Sequence, residues 1–383
     1  METDRRVLPF SDIVSESTLA HMLGVEASLL ERVAARNVSG EAPVRIRTKK
    51  IRGKSRRVQE PLDEELKQTL NAIVHMMNLQ TATLLRRSSL VHGYVPGRSA
   101  FTNAKAHVGS DHVQKFDIRG FFDAITSSMV LDTLIELGMS RDAATLLTRI
   151  VLKDGRLPLG FAPSPLISNL VMRLVDNRLF ALAEDHGIIV TRYADDITFS
   201  SPMPFDVSIE VEAVLKANGF SINTEKSVTG RLSDGVHVTG FTVARDGPRL
   251  PRRLKRVIRQ DLFHIARVGL TEQATVRRRT PESFARRMAS RLGLLRATEP
   301  EYYAQLSRAF PTAMRTLENR RRASRERKEN RRRRLARDLL GSPSPRPSFY
   351  EPSISYQRAT STGGASVPVE RESIDNRSTW DFE

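Results

Sequence analysis

The sequence predicts an α+β body followed by a basic helical region. Short strand-like runs alternate with helical periodicity through the middle of the chain, and the pattern becomes helical and arginine-rich from about residue 250. The chain has 383 residues, of which 39% are hydrophobic and 27% charged, so it can bury an apolar core across several packed subdomains.

Residues 1–44 predict a short helical segment. Apolar residues recur at helical spacing across residues 17–33 and are interrupted by Gly24, which indicates two short helices joined by a turn. Helix pairs of this kind bind DNA in some proteins but more often only pack against a core. A basic stretch follows at 45–61, and Gly53 inside it predicts the tip of a β-hairpin.

Strand and helix signals alternate through the middle of the chain. Strands are predicted at residues 112–118, 188–201, 220–229 and 236–243, with a tight turn at 194–196 inside the second stretch. Helices are predicted at residues 62–86, 129–138, 165–187 and 207–219. We therefore assign residues 45–248 to one α+β body.

The formal net charge of +17 is concentrated in the C-terminal third of the chain. Residues 249–296 hold 14 Arg and Lys against 3 acidic residues, and residues 320–337 hold 11 against 2. A basic region attached to a nearly neutral body indicates a surface for a polyanion, and arginine suits bidentate phosphate contacts. A solvated helix face would give the same pattern. The candidate nucleic-acid contacts in the second run are Arg320, Arg321 and Arg322.

Two regions follow the α+β body. The helical, arginine-rich pattern assigns residues 249–340 to a basic helical region that is a candidate nucleic-acid surface. Residues 341–383 are rich in Ser and Pro and poor in aliphatic side chains, which predicts a disordered tail.

Several classes of protein are excluded by composition. The chain contains no cysteine, which excludes a disulfide framework and a thiolate metal site. No apolar run approaches the roughly 20 residues that a membrane-spanning helix needs, and the first residues lack the apolar stretch of a secretory signal. We expect a cytoplasmic protein with no membrane partner.

Three aspartates are the candidate catalytic residues. Asp195 and Asp196 lie between two strand-like runs, although aspartate is also a common turn residue. Asp117 ends another apolar strand, and two strands of one sheet would bring the three carboxylates together. Carboxylates this close repel unless cations lie between them, and Mg²⁺ prefers oxygen ligands. We predict that these aspartates hold two Mg²⁺ ions and carry nucleotidyl transfer.

At these residues the chain resembles reverse transcriptases, over roughly residues 45–310. Asp117 matches the first catalytic aspartate of that family, and Tyr193-Ala194-Asp195-Asp196 matches its YxDD box. The resemblance implies a right-hand polymerase fold, with fingers and a palm of antiparallel sheet plus helices before residue 249 and a helical thumb after it. It implies Mg²⁺ as the cofactor and deoxynucleoside triphosphates as substrates.

The resemblance also assigns further site residues. Phe122 falls where the family places an aromatic steric gate against the ribose 2′-hydroxyl, and a core aromatic is the alternative interpretation. Gly160 lies in LPLGFAPSP, which is similar to the family segment LPQGAPTSP. The chain departs from that segment at Leu159, where glutamine is usual, and at 161–163, which leaves the details of the nucleotide pocket open.

Basic residues complete the implied site. Lys226, in NTEKSV, is placed to give a proton or positive charge to the departing pyrophosphate. Lys49 and Arg56 are candidate contacts to the triphosphate, and Lys50 and Arg57 would serve equally if the register is shifted by one residue.

Two short stretches resemble retron reverse transcriptases in particular. Asn103-Ala104-x-x-His107 is similar to their NAxxH signature, and Val238-Thr239-Gly240 to their VTG signature. The resemblance implies that Asn103, His107, Val238, Thr239 and Gly240 belong to an RNA-binding surface. A hydrogen-bonded histidine at a helix end is the alternative interpretation of His107.

The retron resemblance also implies a partner and a product. The partner would be a structured non-coding RNA (msr-msd), copied from the 2′-hydroxyl of a guanosine to give branched RNA–DNA (msDNA), in antiphage defence with a separate effector protein. A group II intron or diversity-generating reverse transcriptase, or a non-catalytic RNA-binding protein on a polymerase fold, are the alternatives.

Overall fold

The computed structural model describes residues 8–51 and 54–340, and the backbone alone at 49–51, 54–55, 328 and 331–340. The predicted hairpin tip at Gly53 and the predicted tail at 341–383 lie outside the described residues. The chain divides into two compact units, the first running through Leu254 and the second beginning at Lys255.

The first unit begins with two helices, α1 (Glu16–Leu23) and α2 (Ala27–Ser39). Ser15 caps α1 by accepting a hydrogen bond from the backbone N–H of Thr18, and Gly24 ends the helix in the left-handed conformation at φ 69°. The predicted pair of short helices is therefore present. Helix α2 packs against a later helix of the same unit, α7 (Arg141–Val151), so the pair is part of the core.

A β-hairpin and a long helix come next. Strands β1 (Val44–Ile51) and β2 (Lys54–Pro61) pair antiparallel. We call this pair the fingers hairpin. Helix α3 (Glu64–Arg87) begins after Asp63, whose side chain accepts a hydrogen bond from the N–H of Leu66 at 2.8 Å.

The central sheet has four antiparallel strands in the order β4-β5-β3-β6. The strands are β3 (His112–Asp117), β4 (Ile189–Tyr193), β5 (Asp196–Ser201) and β6 (Val228–Arg231). Phe116 and Phe199 meet edge to face in its core, with ring centroids 6.0 Å apart. The accompanying helices are α4 (Ala100–Ala106), α5 (Phe121–Ala124), α6 (Ser127–Glu136), α7, α8 (Ser164–Val171), α9 (Arg173–Asp185) and α10 (Ser208–Ala217).

Three predicted elements differ from the structure. The single helix predicted at 165–187 is divided into α8 and α9 at the buried Met172, whose ψ of −8° departs from the helical value of about −42°. The strand predicted at 220–229 is a loop until β6 begins at Val228. The strand predicted at 236–243 is interrupted by a turn at Thr239 and Gly240, both of which have positive φ.

A second, three-stranded antiparallel sheet results from that turn. Its strands are β7 (His237–Val238), β8 (Phe241–Ala244) and β9 (Gly247–Arg249). Helix α4 packs against all three strands.

The second unit is helical and contains most of the two basic segments, 249–296 and 320–337. Its helices are α11 (Arg252–Val268), which starts just before the boundary, α12 (Leu270–Val276), α13 (Pro281–Thr298), α14 (Pro300–Ala309) and α15 (Pro311–Leu340). The buried carboxylate of Asp261 accepts hydrogen bonds from Gln273 at 2.8 Å and Arg277 at 2.7 Å, which ties α11 to α12 and its C-cap. Within the described residues no helix has the length and apolar character needed to cross a membrane.

Candidate active site

The central sheet brings the three predicted aspartates together. Asp117, the last residue of β3, lies directly opposite Asp196, the first residue of β5. Residues opposed in this way have Cβ atoms about 4.5–5.5 Å apart. The N–H of Ile118 also donates to the carbonyl of Asp195 at 3.0 Å. Carboxylates that are remote from one another in the chain therefore share one edge of the sheet.

The turn that carries Asp195 has a strained backbone. Ala194 has φ 59°, a left-handed conformation that costs a residue other than glycine about 1–2 kcal/mol. The buried guanidinium of Arg192 donates to the Ala194 carbonyl at 3.1 Å. On the other side Gly93 approaches closely, since a Cβ there would lie 2.5 Å from the backbone nitrogen of Ala194. Neither contact was predicted from the sequence.

Two cationic side chains reach the aspartates. Arg56 on the fingers hairpin donates to Asp195 at 3.3 Å, and Lys226 donates to Asp117 at 3.2 Å. Across the ranges 8–51 and 54–340, no three His, Cys, Asp or Glu side chains are already arranged around a metal position. The donor set nevertheless fits a hard divalent cation, because all three side chains offer carboxylate oxygens from adjacent strands.

The loop between α10 and β6 positions Lys226. The N–H of Asn223 donates to the carbonyl of Asp117 at 2.7 Å, and the N–H of Lys226 donates to the carbonyl of Asn223 at 3.1 Å. This chain of backbone bonds sets the ammonium group beside the first aspartate of the site.

The fingers hairpin is fixed to the loop that contains Gly160. The N–H of Gln59 donates to the carbonyl of Leu159 at 2.8 Å. Gly160 has φ 126°, and a Cβ there would lie 2.4 Å from the carbonyl oxygen of Gln59. Glycine is required at this contact by both the backbone conformation and the space. Its predicted place in the nucleotide pocket is thus next to the hairpin that carries Arg56.

The hairpin register shows which of the predicted triphosphate contacts lie opposite one another. Lys49 pairs with Arg56 across the hairpin, and Thr48 pairs with Arg57. The side chains of Lys49 and Lys50 lie outside the described part of the chain. Of the two arginines, Arg56 is the one that contacts Asp195, while Arg57 is exposed.

Phe122 lies beside the sheet on α5. Its side chain is 9% exposed and meets Phe121 edge to face, with centroids 5.3 Å apart. Phe122 therefore belongs to the apolar core and keeps a small exposed edge, which accommodates both interpretations made from the sequence.

The two retron-like signatures form one structural module. Thr239 donates its hydroxyl to the carbonyl of Ala100 on α4 at 2.7 Å, and the ring of Phe101 meets that of Phe241 at 5.9 Å. Val238 is fully buried, and the turn at Thr239–Gly240 has φ of 47° and 87°. We call α4 with strands β7 to β9 the signature module.

The NAxxH residues lie inside the molecule. His107 is fully buried between hydroxyls of two strands, with Nδ1 2.6 Å from Ser200 Oγ and Nε2 2.7 Å from Thr191 Oγ1. Burial, helped by nearby positive charge, lowers the pKa of His107 to about 3. Asn103 is 1% exposed, and within the described residues its amide atoms have no hydrogen-bond partner. Neither side chain is at the surface as RNA contact would require.

The three arginines predicted to bind RNA lie on α15. Arg320 forms an ion pair with Glu282 of α13, and Arg322 pairs with Glu326 one turn along at 3.1 Å. Arg321 is exposed. All three guanidinium groups remain at least partly open to solvent, so exposed acids compete for two of them.

Comparison with known proteins places this site in a family. Residues 49–243 match the family described as "Reverse transcriptase (RNA-dependent DNA polymerase)". The retron Mx65 reverse transcriptase of Myxococcus xanthus is 32% identical over 257 residues, which cover 59% of this chain and 59% of the relative. The retron Ec86 reverse transcriptase of Escherichia coli is 28% identical, covering 45% of this chain and 55% of the relative. The chain thus spans a little over half the length of these relatives.

Solved structures give a more distant likeness. Telomerase from Candida albicans, in complex with a fragment of telomeric RNA, aligns with 76% of this chain and 60% of its own, at 10% identity and a TM-score of 0.43. The family match spans just over half of the 383 residues. The chain belongs to the reverse transcriptase family and has its α+β polymerase fold, and the retron reverse transcriptases are among the relatives that it resembles.

Proposed function

We propose that this chain is an RNA-directed DNA polymerase of a retron. The meeting of Asp117 with Asp195 and Asp196 at one edge of the central sheet is the observation that carries the proposal. Clustered carboxylates on neighbouring strands, flanked by Arg56 and Lys226, suit the transfer of a charged nucleotidyl group.

Each side chain has a proposed role in that reaction. The three aspartates would hold two Mg²⁺ ions, which when bound activate the attacking hydroxyl and stabilise charge on the leaving pyrophosphate. Arg56, together with Lys49 opposite it in the hairpin, would bind the triphosphate. Lys226 would supply positive charge or a proton to the pyrophosphate. Gly160 would shape the nucleotide pocket, and the exposed edge of Phe122 would exclude a ribose 2′-hydroxyl.

The proposed template is a structured non-coding RNA (msr-msd) from the same locus. Synthesis would start at a guanosine 2′-hydroxyl and yield branched msDNA, in the cytoplasm and in the service of antiphage defence with a separate effector. The retron names of the relatives support this assignment. The arginines of α15, Arg320–Arg322, would bind RNA phosphates. The buried signature residues, Asn103 and His107, would support the RNA-binding surface from within rather than contact RNA.

Extension of a primed RNA template tests the polymerase. The purified chain should add deoxynucleotides in the presence of Mg²⁺ and stop when the metal is chelated. The double variant Asp195→Asn/Asp196→Asn should lose extension while its affinity for the RNA, measured by filter binding, is unchanged. Normal extension by the double variant would show that the site is elsewhere.

The nucleic acid that copurifies with the chain tests the retron assignment. A single DNA species that stays joined to RNA through a 2′,5′ branch supports a retron enzyme. Heterogeneous, unbranched cDNA would point to an intron or diversity-generating enzyme instead. RNA with no DNA would favour a non-catalytic RNA-binding protein.

A further inference from the structure

A fully buried arginine lies beneath the turn that carries Asp195. Arg192 has no exposed surface, and arginine is rarely buried without a charged partner. Its Nε and Nη2 atoms both donate to the carboxylate of Asp176 on α9, each at 2.6 Å. This bidentate pair fixes the plane of the guanidinium group. Burial raises the pKa of Asp176, and the bonds from Arg192 oppose that shift.

The remaining guanidinium nitrogen points to the turn. Nη1 of Arg192 donates to the carbonyl of Ala194 at 3.1 Å and to the side-chain oxygen of Asn169 at 3.2 Å. The Asn169 amide in turn donates to the carbonyl of Gly93 at 2.9 Å. Gly93 is the residue whose backbone touches that of Ala194 from the other side. The Arg192 guanidinium group therefore reaches the strained Ala194 in two ways, directly at its carbonyl and indirectly through Asn169 and Gly93.

The backbone of Arg192 is held as well. Its N–H donates to the carbonyl of Leu90, and its carbonyl accepts from the N–H of His92, both at 2.8 Å. The segment before Gly93 thus pairs with β4 at the edge of the central sheet. Both the main chain and the side chain of Arg192 are tied to the elements that surround the turn.

We propose that Arg192, locked by Asp176, is a positioning residue that holds Ala194 in its left-handed conformation and so sets the place of the Asp195 carboxylate. This inference rests on the proposed polymerase function and adds a specific dependence of that site on a buried ion pair. The bond from Nη1 to the Ala194 carbonyl is the contact that links this ion pair to the turn.

The experiment replaces the buried ion pair of Arg192 and Asp176 by apolar side chains and asks whether the site still works in a folded chain. Such a replacement is often neutral or stabilising, whereas breaking the pair on one side is costly. The variants are Arg192→Met/Asp176→Leu, the single Arg192→Met, and Arg173→Met, which removes a half-exposed arginine on the same helix as Asp176. Thermal unfolding, RNA binding, Mn²⁺ binding by electron paramagnetic resonance, and kcat with KM for deoxynucleotide are measured for each.

The double variant should separate folding from positioning. We expect an unfolding temperature and RNA affinity near those of the unmodified chain, weaker Mn²⁺ binding, and a kcat lower by on the order of 100-fold, since displacing a reacting group by about 1 Å has an effect of that size. The Arg173→Met control should retain both Mn²⁺ binding and kcat. A double variant that folds and retains Mn²⁺ affinity and kcat within about threefold would overturn the proposal.

A second variant decides the matter if the double variant does not fold. Gly93→Ala places a methyl group against the nitrogen of Ala194 and leaves the ion pair untouched. Lower kcat and weaker Mn²⁺ binding with normal RNA affinity would support positioning of the turn, and unchanged values would overturn it. Failure of the unmodified chain to extend any primer would instead refute the polymerase function.

Discussion

At the scale of single residues, Gly160 lies against the fingers hairpin, next to the proposed nucleotide pocket. Replacement of Gly160 by alanine adds a methyl group 2.4 Å from the Gln59 carbonyl, at φ 126°. We predict a loss of about 1–3 kcal/mol in the free energy of unfolding and a raised KM for deoxynucleotide, because the hairpin with Arg56 must move. Urea unfolding and steady-state kinetics measure the two effects.

Gly155 provides the matched control for that substitution. It has φ 71°, and no atom lies within 4 Å of the position that a methyl group would take, so Gly155→Ala introduces backbone strain without a collision. Its KM should stay unchanged. Equal effects on KM in the two variants would mean that the contact with the hairpin is irrelevant to nucleotide binding.

The buried His107 predicts a dependence of stability on pH. Its pKa is about 3 in the folded chain, against about 6.5 when unfolded. Between these values the unfolded chain binds more protons, so the free energy of unfolding falls as pH drops from about 6.5 towards 3. His92, with a pKa lowered to about 4 by burial and by Arg98, acts in the same direction.

Urea unfolding between pH 4.5 and 7.5 checks this dependence. The unmodified chain should lose up to about 1.4 kcal/mol per pH unit for each such histidine below pH 6. His107→Gln should be less stable at pH 7.5 and show a shallower slope. An identical slope in the variant would mean that His107 is protonated in the folded state.

The aspartates were predictable from sequence, whereas their supports were not. Asp117 ends an apolar strand and Asp195 lies at the turn between two others, and a shared sheet was predicted from these patterns. Arg192 resembles any polar residue of a half-exposed strand, because its partner Asp176 lies on a different element. For His107 the sequence left a hydrogen-bonded helix-end histidine open as the alternative to an RNA contact, but sequence spacing does not identify its partners, the Ser200 and Thr191 hydroxyls.

At the scale of elements, the signature module joins one helix to a small sheet. The Thr239 hydroxyl donates to the carbonyl of Ala100 in the first turn of α4, so Thr239→Val keeps the shape and removes that hydrogen bond at a cost of about 0.5–1.5 kcal/mol. If the module supports the RNA surface, binding of the cognate RNA should weaken while extension of a generic primed template is unchanged. Thr242→Val, at a half-exposed position of the same sheet, is the control.

Filter binding with cognate and generic RNA reads out this prediction. Equal loss of affinity for both RNAs, or no loss for either, would contradict a specific role of the module in recognising the cognate RNA.

Element boundaries were predictable where turn residues mark them. Gly24 ends α1 as its sequence position indicates. The break between α8 and α9 has no such marker, since Met172 is a good helix former. The loop before β6 contains Asn223, a turn residue whose signal was outweighed by the flanking apolar residues.

At the scale of the whole molecule, the distribution of charge predicts salt-dependent RNA binding. Replacing Arg320, Arg321 and Arg322 by glutamine should weaken RNA binding and flatten the plot of log K against log salt, by about 0.7–0.9 for each phosphate that the variant no longer neutralises. The ion pairs of Arg320 with Glu282 and of Arg322 with Glu326 reduce the expected change below that of three free arginines.

Exposed arginines of the first unit supply the control for charge alone. The triple variant Arg32→Gln/Arg141→Gln/Arg178→Gln removes the same number of charges from helices α2, α7 and α9. Its salt dependence should match that of the unmodified chain. A slope left unchanged by the α15 substitutions would make that run a solvated helix face.

The most direct test of the site concerns Asp117, because it lies on a strand remote in sequence from the other two aspartates. Mn²⁺ binding to the chain with a primed RNA template and deoxynucleotide is measured by electron paramagnetic resonance, alongside extension, for the unmodified chain and for Asp117→Asn. One shared metal site predicts that this single change weakens Mn²⁺ binding and abolishes extension while RNA affinity is retained. Mn²⁺ binding and extension equal to those of the unmodified chain would contradict it.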